Sequence, residues 1–256
     1  MLSYQMAKSS RGFTLIEISI VLVIIGLIIG GIMVGRSMIR SSEIKSIFTD
    51  LERFEAARMT FRSKYNCLPG DCSSAVSIGL GNNGDGNGCV NHVSAGNEVW
   101  LFWTHLGSAE LLSGDYTGVN GPGAGSADSV IELNVPSSKI SGVGYSMASI
   151  APTHSSFSPI YDALGLPRPI TDTWYIIGRD NTSTNSYTYG GFISPVEAKA
   201  FDVKYDDGLA NNGKIRTNLG AAAYNTSGCT SGGVTTYTYA NSSSALCNLQ
   251  YWFHNF

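Results

Sequence analysis

The sequence predicts an α+β fold, with one long N-terminal helix followed by a head of short strands and turns. No proline interrupts residues 13–65, where a uniformly apolar run passes into a helical periodicity. From about residue 66 the chain is rich in Gly, Ser, Thr, Asn and Tyr and poor in charge, a composition typical of short strands joined by turns. At about 190 residues, this second region is large enough to bury a substantial core.

The apolar run carries a charge only near its start. Residues 18–35 are 18 positions without a charge, and Glu17 directly precedes them. At about 1.5 Å per residue, a helix over residues 13–35 is long enough to cross a hydrocarbon core of about 30 Å. An ordinary cleaved signal peptide is the alternative, but no A-x-A-like site ends the run, and Arg36 with a helical pattern follows. We therefore expect a retained membrane segment with the basic residues 1–12 in the cytoplasm.

Glu17 is the residue of this run that requires an explanation. A carboxylate well inside a bilayer costs about 2.5–3.5 kcal/mol on insertion scales and usually marks a functional site, although a shallow glutamate that reaches the interface is the simpler alternative. The residues around it, RGFTLIE at 11–17, resemble the class III processing site of type IV prepilins and type II secretion pseudopilins. The resemblance is tight over residues 8 to about 35 and weaker further on.

The resemblance implies a route of processing and assembly. A dedicated membrane peptidase would remove residues 1–12 as a leader peptide by cutting between Gly12 and Phe13, and it would methylate the new amine of Phe13. In a filament, this amine would pair with the Glu17 carboxylate of a neighbouring subunit. Opposite charges attract strongly in a low-dielectric core, and each is costly there alone, which explains the choice of a glutamate.

One position departs from the family pattern. Many members have a proline 21 residues after the mature phenylalanine, where this chain has Val34. The helix is expected to be weakened instead by four glycines, each of which costs about 0.5–1 kcal/mol in a helix: Gly26, Gly30, Gly31 and Gly35.

Residues 44–65 have the pattern of an amphipathic helix. Charged residues separate apolar ones that recur mostly at steps of three or four: Ile44, Ile47, Phe48, Leu51, Phe54, Phe61 and Tyr65. We expect one helix over 13–65 that spans the membrane to about residue 35 and then packs one face on the head. Pro69 and Gly70 end it.

The head, residues 66–256, is predicted to contain five strands and two helices. The expected strands cover residues 130–135, 140–150, 173–178, 189–194 and 234–240. One helix is expected at 100–112, and its aromatic face is interpreted as core. The other follows Ser194, with Pro195 at its first position and Glu197 at its third, which is a capping box with a proline start.

Four short motifs extend the resemblance into the head. LPGD, GDGNG, E-x-x-x-FW-x-HL and FDVKYDDG together look like the head of a pilin subgroup. The family resemblance implies a long helix packed on an antiparallel sheet, the α/β roll of pilins.

The chain has five cysteines. With the leader in the cytoplasm, the head lies in the periplasm or outside the cell, where disulfides persist. Cys229 and Cys247 would close a C-terminal loop that resembles the disulfide-bounded loop of many type IV pilins. Cys67, Cys72 and Cys89 form an odd set, which leaves one thiol over unless it pairs between chains. A zinc site is the alternative, but these cysteines have no convincing histidine partners.

The loop NNGDGNGCVN, residues 82–91, is a candidate calcium site. The first half of a D-x-[DN]-x-[DN]-G calcium loop, with Asn in the leading place, is approximated by Asn83, Asp85, Asn87 and Gly88. The twelfth position is Ser94 and not the bidentate glutamate of an EF-hand, so the affinity should be weak unless Asp71 or Glu98 folds in. A glycine-rich turn is the favoured alternative, and no other cofactor is expected.

No catalytic constellation is recognised, so no enzyme is predicted. GLGNNG at 79–84 fits G-x-G-x-x-G but opens no helix, and the four histidines lack metal-ligand spacing. An ordinary turn is the interpretation of a second acidic group, which consists of Asp202, Asp206 and Asp207. The net charge is −3, and losing two of the 16 basic residues with the leader leaves 14 against 19 acidic ones, or −5. This balance disfavours general nucleic-acid binding.

The predicted function is structural: a subunit of a type IV pilus or a type II secretion pseudopilus that assembles by bundling its N-terminal helix after cleavage and methylation. The alternative is a minor, tip-located pilin whose large head is an adhesin or binding module for a surface, a partner or DNA. The resemblance implies other pilin subunits, the prepilin peptidase and the inner-membrane assembly platform as partners. The precursor would reside in the inner membrane, and the assembled subunit in an extracellular pilus or a periplasmic pseudopilus.

Overall fold

The computed structural model describes residues 12–90, 98–119, 121, 129–149, 173–180, 187–210, 212–217, 229–231, 236–237 and 247–253. Residues 1–11 and Ser94 lie outside these ranges. The chain divides into two compact units, residues 1–43 and residues 44–256. The elements are, in chain order, α1 (Leu15–Tyr65), a 3-10 helix (Val76–Ile78), α2 (Glu98–Ser108), β1 (Val143–Ser149), β2 (Thr173–Arg179), α3 (Pro195–Tyr205), β3 (Ile215–Arg216), β4 (Thr230–Ser231), β5 (Thr236–Tyr237) and β6 (Leu249–Phe253).

α1 is a single helix of 51 residues, and its residues belong partly to the first unit and partly to the second. In the first unit, every residue from Gly12 to Val34 is exposed. Among the described residues, α1 is the helix whose length and composition would allow it to cross a membrane, and none of its apolar window is buried. A helix segment that is apolar without a polar face is typical of a membrane span.

The second half of α1 buries one face in the core of the second unit. Phe54 and Phe61 are fully buried, as are Ile47 and Leu51, while Phe48 is partly buried against the same core. These are the positions that the three- and four-residue spacing singles out, so the predicted amphipathic pattern is confirmed. Tyr65, the last residue of the helix, also packs on this core.

The sheet of the second unit has four antiparallel strands in the order β1-β2-β6-β3. Tyr175 of β2 pairs with Met147 of β1 on one side and with Tyr251 of β6 on the other, so one face of the sheet carries a row of large side chains. This face packs against α1, where the ring of Phe54 lies 5.9 Å from that of Tyr175. β4 and β5 form a separate two-stranded ladder. The long helix and antiparallel sheet confirm the predicted α+β fold of the pilin type.

Two of the predicted strands are wrong. Residues 130–135 form a tight turn because the Asn134 side chain accepts a hydrogen bond from the Val130 N–H at 2.7 Å, and Glu132 has a φ of 70°. Residues 189–194 form only isolated bridges, of Gly190 with Arg179 and of Ile193 with Cys247. A side chain that competes for backbone hydrogen bonds favours a turn over a ladder.

Three predicted strands exist in shortened or extended form. Those at 140–150 and 173–178 correspond to β1 and β2, and within 234–240 only β5 lies among the described residues. β6 was not predicted, although it is the strand between β2 and β3.

Both predicted helices of the head are present. α2 begins at Glu98, two residues before the predicted start, and ends at Ser108 because Glu110 adopts a left-handed φ of 58°. α3 has the predicted capping box, in which the Ser194 hydroxyl accepts from the Glu197 N–H at 3.3 Å and the Glu197 carboxylate accepts from the Ser194 N–H at 2.9 Å.

Candidate functional site

α1 begins with a second capping box, which places Glu17 beside the predicted processing point. The Glu17 carboxylate accepts hydrogen bonds from the backbone N–H and the hydroxyl of Thr14, both at 2.8 Å. The Thr14 hydroxyl accepts from the Glu17 N–H at 3.3 Å. Gly12 and Phe13 precede the helix and are exposed. Glu17 therefore lies in the first helical turn, where the helix dipole also favours a negative charge.

The role of Thr14 was not predicted from the sequence, where Glu17 was explained by its charge alone. The signal was present, since T-x-x-E before an apolar run is the capping-box pattern that was used at Ser194. The structure thus gives Glu17 an interaction within its own chain. Its predicted pairing with a neighbouring subunit, and the roles of Gly12 and Phe13 in processing, remain predictions.

The acidic residues of three separate motifs meet in the head. Asp71 comes from LPGD, Asp85 from GDGNG and Glu98 from E-x-x-x-FW-x-HL. Each offers one carboxylate oxygen, and the three oxygens lie within 4.8 Å of one another. Asp71 and Glu98 are buried and Asp85 is exposed, so the group reaches from the interior to the surface.

Close backbone packing brings these carboxylates together. Gly70 has a φ of 87°, and a Cβ there would lie 2.5 Å from the carbonyl oxygen of Glu98. A Cβ on Gly84 would lie 2.5 Å from the backbone of Asp71. Both positions therefore require glycine, because a side chain at Gly70 would push the loop away from α2 and one at Gly84 would push it away from the backbone of Asp71. Glu98 fixes the approach from α2, since its carboxylate accepts the N–H of Asp85 at 2.8 Å.

The asparagines of the predicted calcium loop have other tasks. Asn83 accepts a hydrogen bond from the Val76 N–H at 2.8 Å and so caps the 3-10 helix. Asn87 donates its side-chain amide to the Asp85 carboxylate at 2.8 Å and accepts from the Cys89 N–H. Asp85 is thus the one residue of the predicted set whose carboxylate joins the group of three.

Burial makes Asp71 an unusual carboxyl group. Its Oδ2 accepts the N–H of Gly88 at 2.9 Å, which favours the charged form. Burial outweighs this and, with a side-chain hydrogen bond to Asp85 and the charge of Asp85, raises the pKa of Asp71 to about 6. Its Oδ1 is buried and has no hydrogen-bond partner among the residues that the structure describes.

A buried histidine braces the same loop. Nδ1 of His105 accepts the N–H of Gly70 at 2.9 Å, and the opposite ring nitrogen, Nε2, lies 2.8 Å from the carbonyl oxygen of Asn82. An accepting Nδ1 assigns the proton to Nε2, which then donates to Asn82. The neutral ring of His105 therefore connects Gly70 and Asn82, two points of the loop, to α2.

Acidification is expected to destabilise the second unit through His105. Burial lowers the pKa of His105 below its ordinary 6.5, and its hydrogen bond to Asn82 only partly offsets this. Below about pH 6.5 the unfolded chain binds a proton that the folded chain does not, so the free energy of unfolding falls as the pH falls. Urea unfolding of the full chain in detergent, at several pH values between about 7.5 and 5.5, measures the effect.

His105→Gln is the matched control, because glutamine keeps one donor and one acceptor without titrating. Its unfolding free energy should depend less steeply on pH than that of the wild type. The raised pKa of Asp71 acts in the opposite direction in both proteins, so it cancels in the comparison. Equal pH slopes in the two proteins would contradict the prediction.

The structure contains two disulfides. Cys67 is bonded to Cys72, directly after α1, and Cys229 is bonded to Cys247. Cys89 is a buried thiol outside both bonds. The first disulfide closes the segment that leads into Asp71, and the second joins Cys229, directly before β4, to Cys247, two residues before β6.

The second acidic group consists of Asp202, Asp206 and Asp207, whose carboxylates also lie within 4.8 Å of one another. All three accept backbone N–H groups: Asp202 from Gly208, Asp206 from Ile215 and Asp207 from Leu209, at 2.8–3.1 Å. These bonds organise the turn between α3 and β3, which is the role expected of a D-D-G sequence.

Comparison with known proteins bears on the N-terminal segment. Residues 7–33 match the family model described as the prokaryotic N-terminal methylation motif. Neither the curated proteins nor the solved structures provided a match to the chain. The matched residues include the predicted cleavage point and Glu17, and from Leu15 onward they form the first part of α1. The chain therefore carries, at residues 7–33, the class III signal peptide of type IV pilins and pseudopilins.

Proposed function

We propose that this chain is the precursor of a structural subunit that polymerises through the first half of α1 into a type IV pilus or a type II secretion pseudopilus. The observation that carries the proposal is the methylation motif, which overlaps the first part of a helix whose residues up to Val34 are exposed and, apart from Glu17 and Ser19, apolar. Such a surface is stable only in lipid or against other apolar helices. Insertion before assembly and helix bundling after it provide these two environments in turn.

The proposed processing follows from the motif. The prepilin peptidase would cut between Gly12 and Phe13 and methylate the amine of Phe13, and the mature chain would keep Glu17 in its first helical turn. The Glu17 carboxylate would then attract the Phe13 amine of a neighbouring subunit within the low-dielectric bundle. The pilin-type motif indicates a structural subunit rather than an enzyme. Other pilins, the peptidase and the inner-membrane platform are the proposed partners.

Glu17→Gln is expected to be processed normally but to be absent from filaments. Glutamine can replace glutamate in a capping box, so the hydrogen bond to Thr14 is kept while the charge is lost. N-terminal sequencing and intact mass of protein from its own membranes should show a chain beginning at methylated Phe13 for both proteins. Immunoblotting of sheared filaments, or of the pseudopilus fraction, measures assembly.

Glu52→Gln provides the matched control, because Glu52 is an exposed acid on the same helix and its loss should leave assembly intact. Wild-type protein that still begins at Met1 in cells containing the peptidase would overturn the proposal. Filaments of Glu17→Gln at the wild-type level would overturn the role of the charge. The share of this chain in sheared filaments separates a main subunit from a tip subunit.

A further inference from the structure

The three carboxylates of Asp71, Asp85 and Glu98 form a group that close packing holds together against their mutual repulsion. They belong to three motifs that are separated in the sequence, yet one oxygen of each lies within 4.8 Å of the other two. Like charges at such distances repel one another, particularly where two of the three groups are buried. A cation held between the oxygens would convert this repulsion into attraction.

The Asp71 side chain gives independent evidence for a ligand. It is only 4% exposed, and its Oδ1 has no hydrogen-bond partner within the described part of the chain. The other oxygen, Oδ2, is held by the Gly88 N–H, which fixes the orientation of the carboxylate. Buried polar atoms are almost always hydrogen-bonded, and an exception calls for a specific explanation such as a bound ion.

The second acidic group shows that three close carboxylates do not by themselves indicate a bound ion. Each of its three aspartates accepts a backbone N–H, and none of their oxygens is a buried atom without a partner. Its carboxylates are accounted for by the turn that they build. Only the group around Asp71 combines three close carboxylates with a buried oxygen that the described protein atoms leave unsatisfied.

We propose that Asp71, Asp85 and Glu98 bind one Ca²⁺ ion, which joins the loop that follows α1 to the first turn of α2. The donors are carboxylate oxygens, which suit hard cations and not the softer metals that prefer cysteine or histidine. A carboxylate oxygen has two lone pairs, so the hydrogen bonds that Asp85 and Glu98 accept are compatible with metal binding by the same carboxylates. Ca²⁺ tolerates the irregular arrangement of a loop, whereas Mg²⁺ requires near-ideal octahedral geometry.

The geometry also provides access and a structural role. Asp85 is exposed, so an ion can enter from solvent, while Asp71 and Glu98 close the site from the interior. Bound there, the ion would hold together the motifs LPGD, GDGNG and E-x-x-x-FW-x-HL. The acidic residues of all three motifs would then bind the same ion. Calcium would stabilise the head independently of filament assembly.

Calcium titration of the purified full chain in detergent tests the proposal. Bound metal is first removed with EGTA. CaCl₂ is then added up to roughly ten times 10⁻³ M, which is the upper limit of the dissociation constants typical of extracellular calcium-binding modules. Isothermal titration measures the stoichiometry, and the thermal midpoint followed by tryptophan fluorescence measures stabilisation. We expect one ion per chain, a higher midpoint with Ca²⁺, and a much smaller rise with MgCl₂ at the same concentration.

Asp71→Asn and Glu98→Gln are the test variants, since both keep the shape of the side chain and remove its charge. Each should weaken calcium binding at least about tenfold. Even the mutation of a residue that only contacts a metal ligand lowers metal affinity by about this factor, and these two residues are themselves the proposed ligands. Asp207→Asn is the matched control and should bind calcium like the wild type. Near-UV circular dichroism shows whether each variant is folded.

The direct titration of the wild type keeps the test independent of how the variants fold. Absence of calcium binding to the wild type over the whole range would overturn the proposal, and so would equal stabilisation by Mg²⁺. Calcium binding that is unchanged in Asp71→Asn, or lost in Asp207→Asn, would also overturn it, because the ion would then be held elsewhere.

Discussion

Phe54→Ala is expected to lower the free energy of unfolding of the second unit by about 3–5 kcal/mol. The Phe54 side chain is fully buried at the centre of the core. Its ring lies 5.0 Å from those of Trp103 and Tyr145 and 5.9 Å from that of Tyr175, so it joins α1 to both α2 and the sheet. Alanine would remove these ring contacts and leave a cavity where three elements meet.

Urea unfolding of the full chain in detergent measures this loss. The four tryptophans of the chain all lie in the second unit, so their fluorescence reports on that unit alone. Met59→Ala is the matched control, because Met59 is 49% exposed on the same helix and its truncation should cost far less. Since a domain of this kind is stable by only about 5–15 kcal/mol, the expected loss is a large part of the total. A loss below about 1 kcal/mol for Phe54→Ala would contradict the packing described.

Arg58→Met is expected to cost about 3–5 kcal/mol through a different mechanism. Arg58 and Glu55 form a buried ion pair on α1, with residue exposures of 2% and 7%, and both guanidinium contacts go to the Glu55 carboxylate. Replacing Arg58 leaves the Glu55 charge buried without its partner, and the cost of that uncompensated charge dominates the loss of stability. The same unfolding measurement detects it.

A double variant distinguishes the cost of an uncompensated buried charge from the cost of lost side-chain packing. Glu55→Leu combined with Arg58→Met removes both charges, so its unfolding free energy should recover much of the loss seen in the single variant. Arg53→Met is the surface control: its ion pair with Asp50 is 3.5 Å long, and the arginine side chain is 55% exposed. Exposed pairs of this kind contribute about 0–1 kcal/mol. A double variant no more stable than Arg58→Met would show that packing and not charge is responsible.

The helices could be predicted well because their signals are local. The spacing of apolar residues in α1, and the Ser194, Pro195 and Glu197 signature of α3, depend on neighbours within one or two turns of the chain. The strands were less predictable, since a strand is defined by its partner. Residues 130–135 have β-forming side chains, but Asn134 closes them into a turn.

The candidate sites divide in the same way. The processing segment is a contiguous motif, and the sequence alone was sufficient to recognise it. The acidic group is not contiguous, because Asp71, Asp85 and Glu98 are brought together by Gly70, Gly84 and His105. The spacing along the chain predicted Asn83 and Asn87 as ligands. The packing of α2 against the loop instead determines which carboxylate oxygens lie close together.

The position of β6 affects the order in which the head can fold. β6 pairs with β2 on one side and with β3 on the other, so the middle of the sheet is supplied by the last of its strands to be synthesised. β1 and β2 can form a ribbon earlier, but β3 has no partner among the described strands until residues 249–253 have been synthesised. Pairing over such long separations is slow. The head therefore completes its sheet only after residue 253 has reached the compartment in which it folds, and Cys247, beside β6, is the later of the two cysteines to arrive for its disulfide.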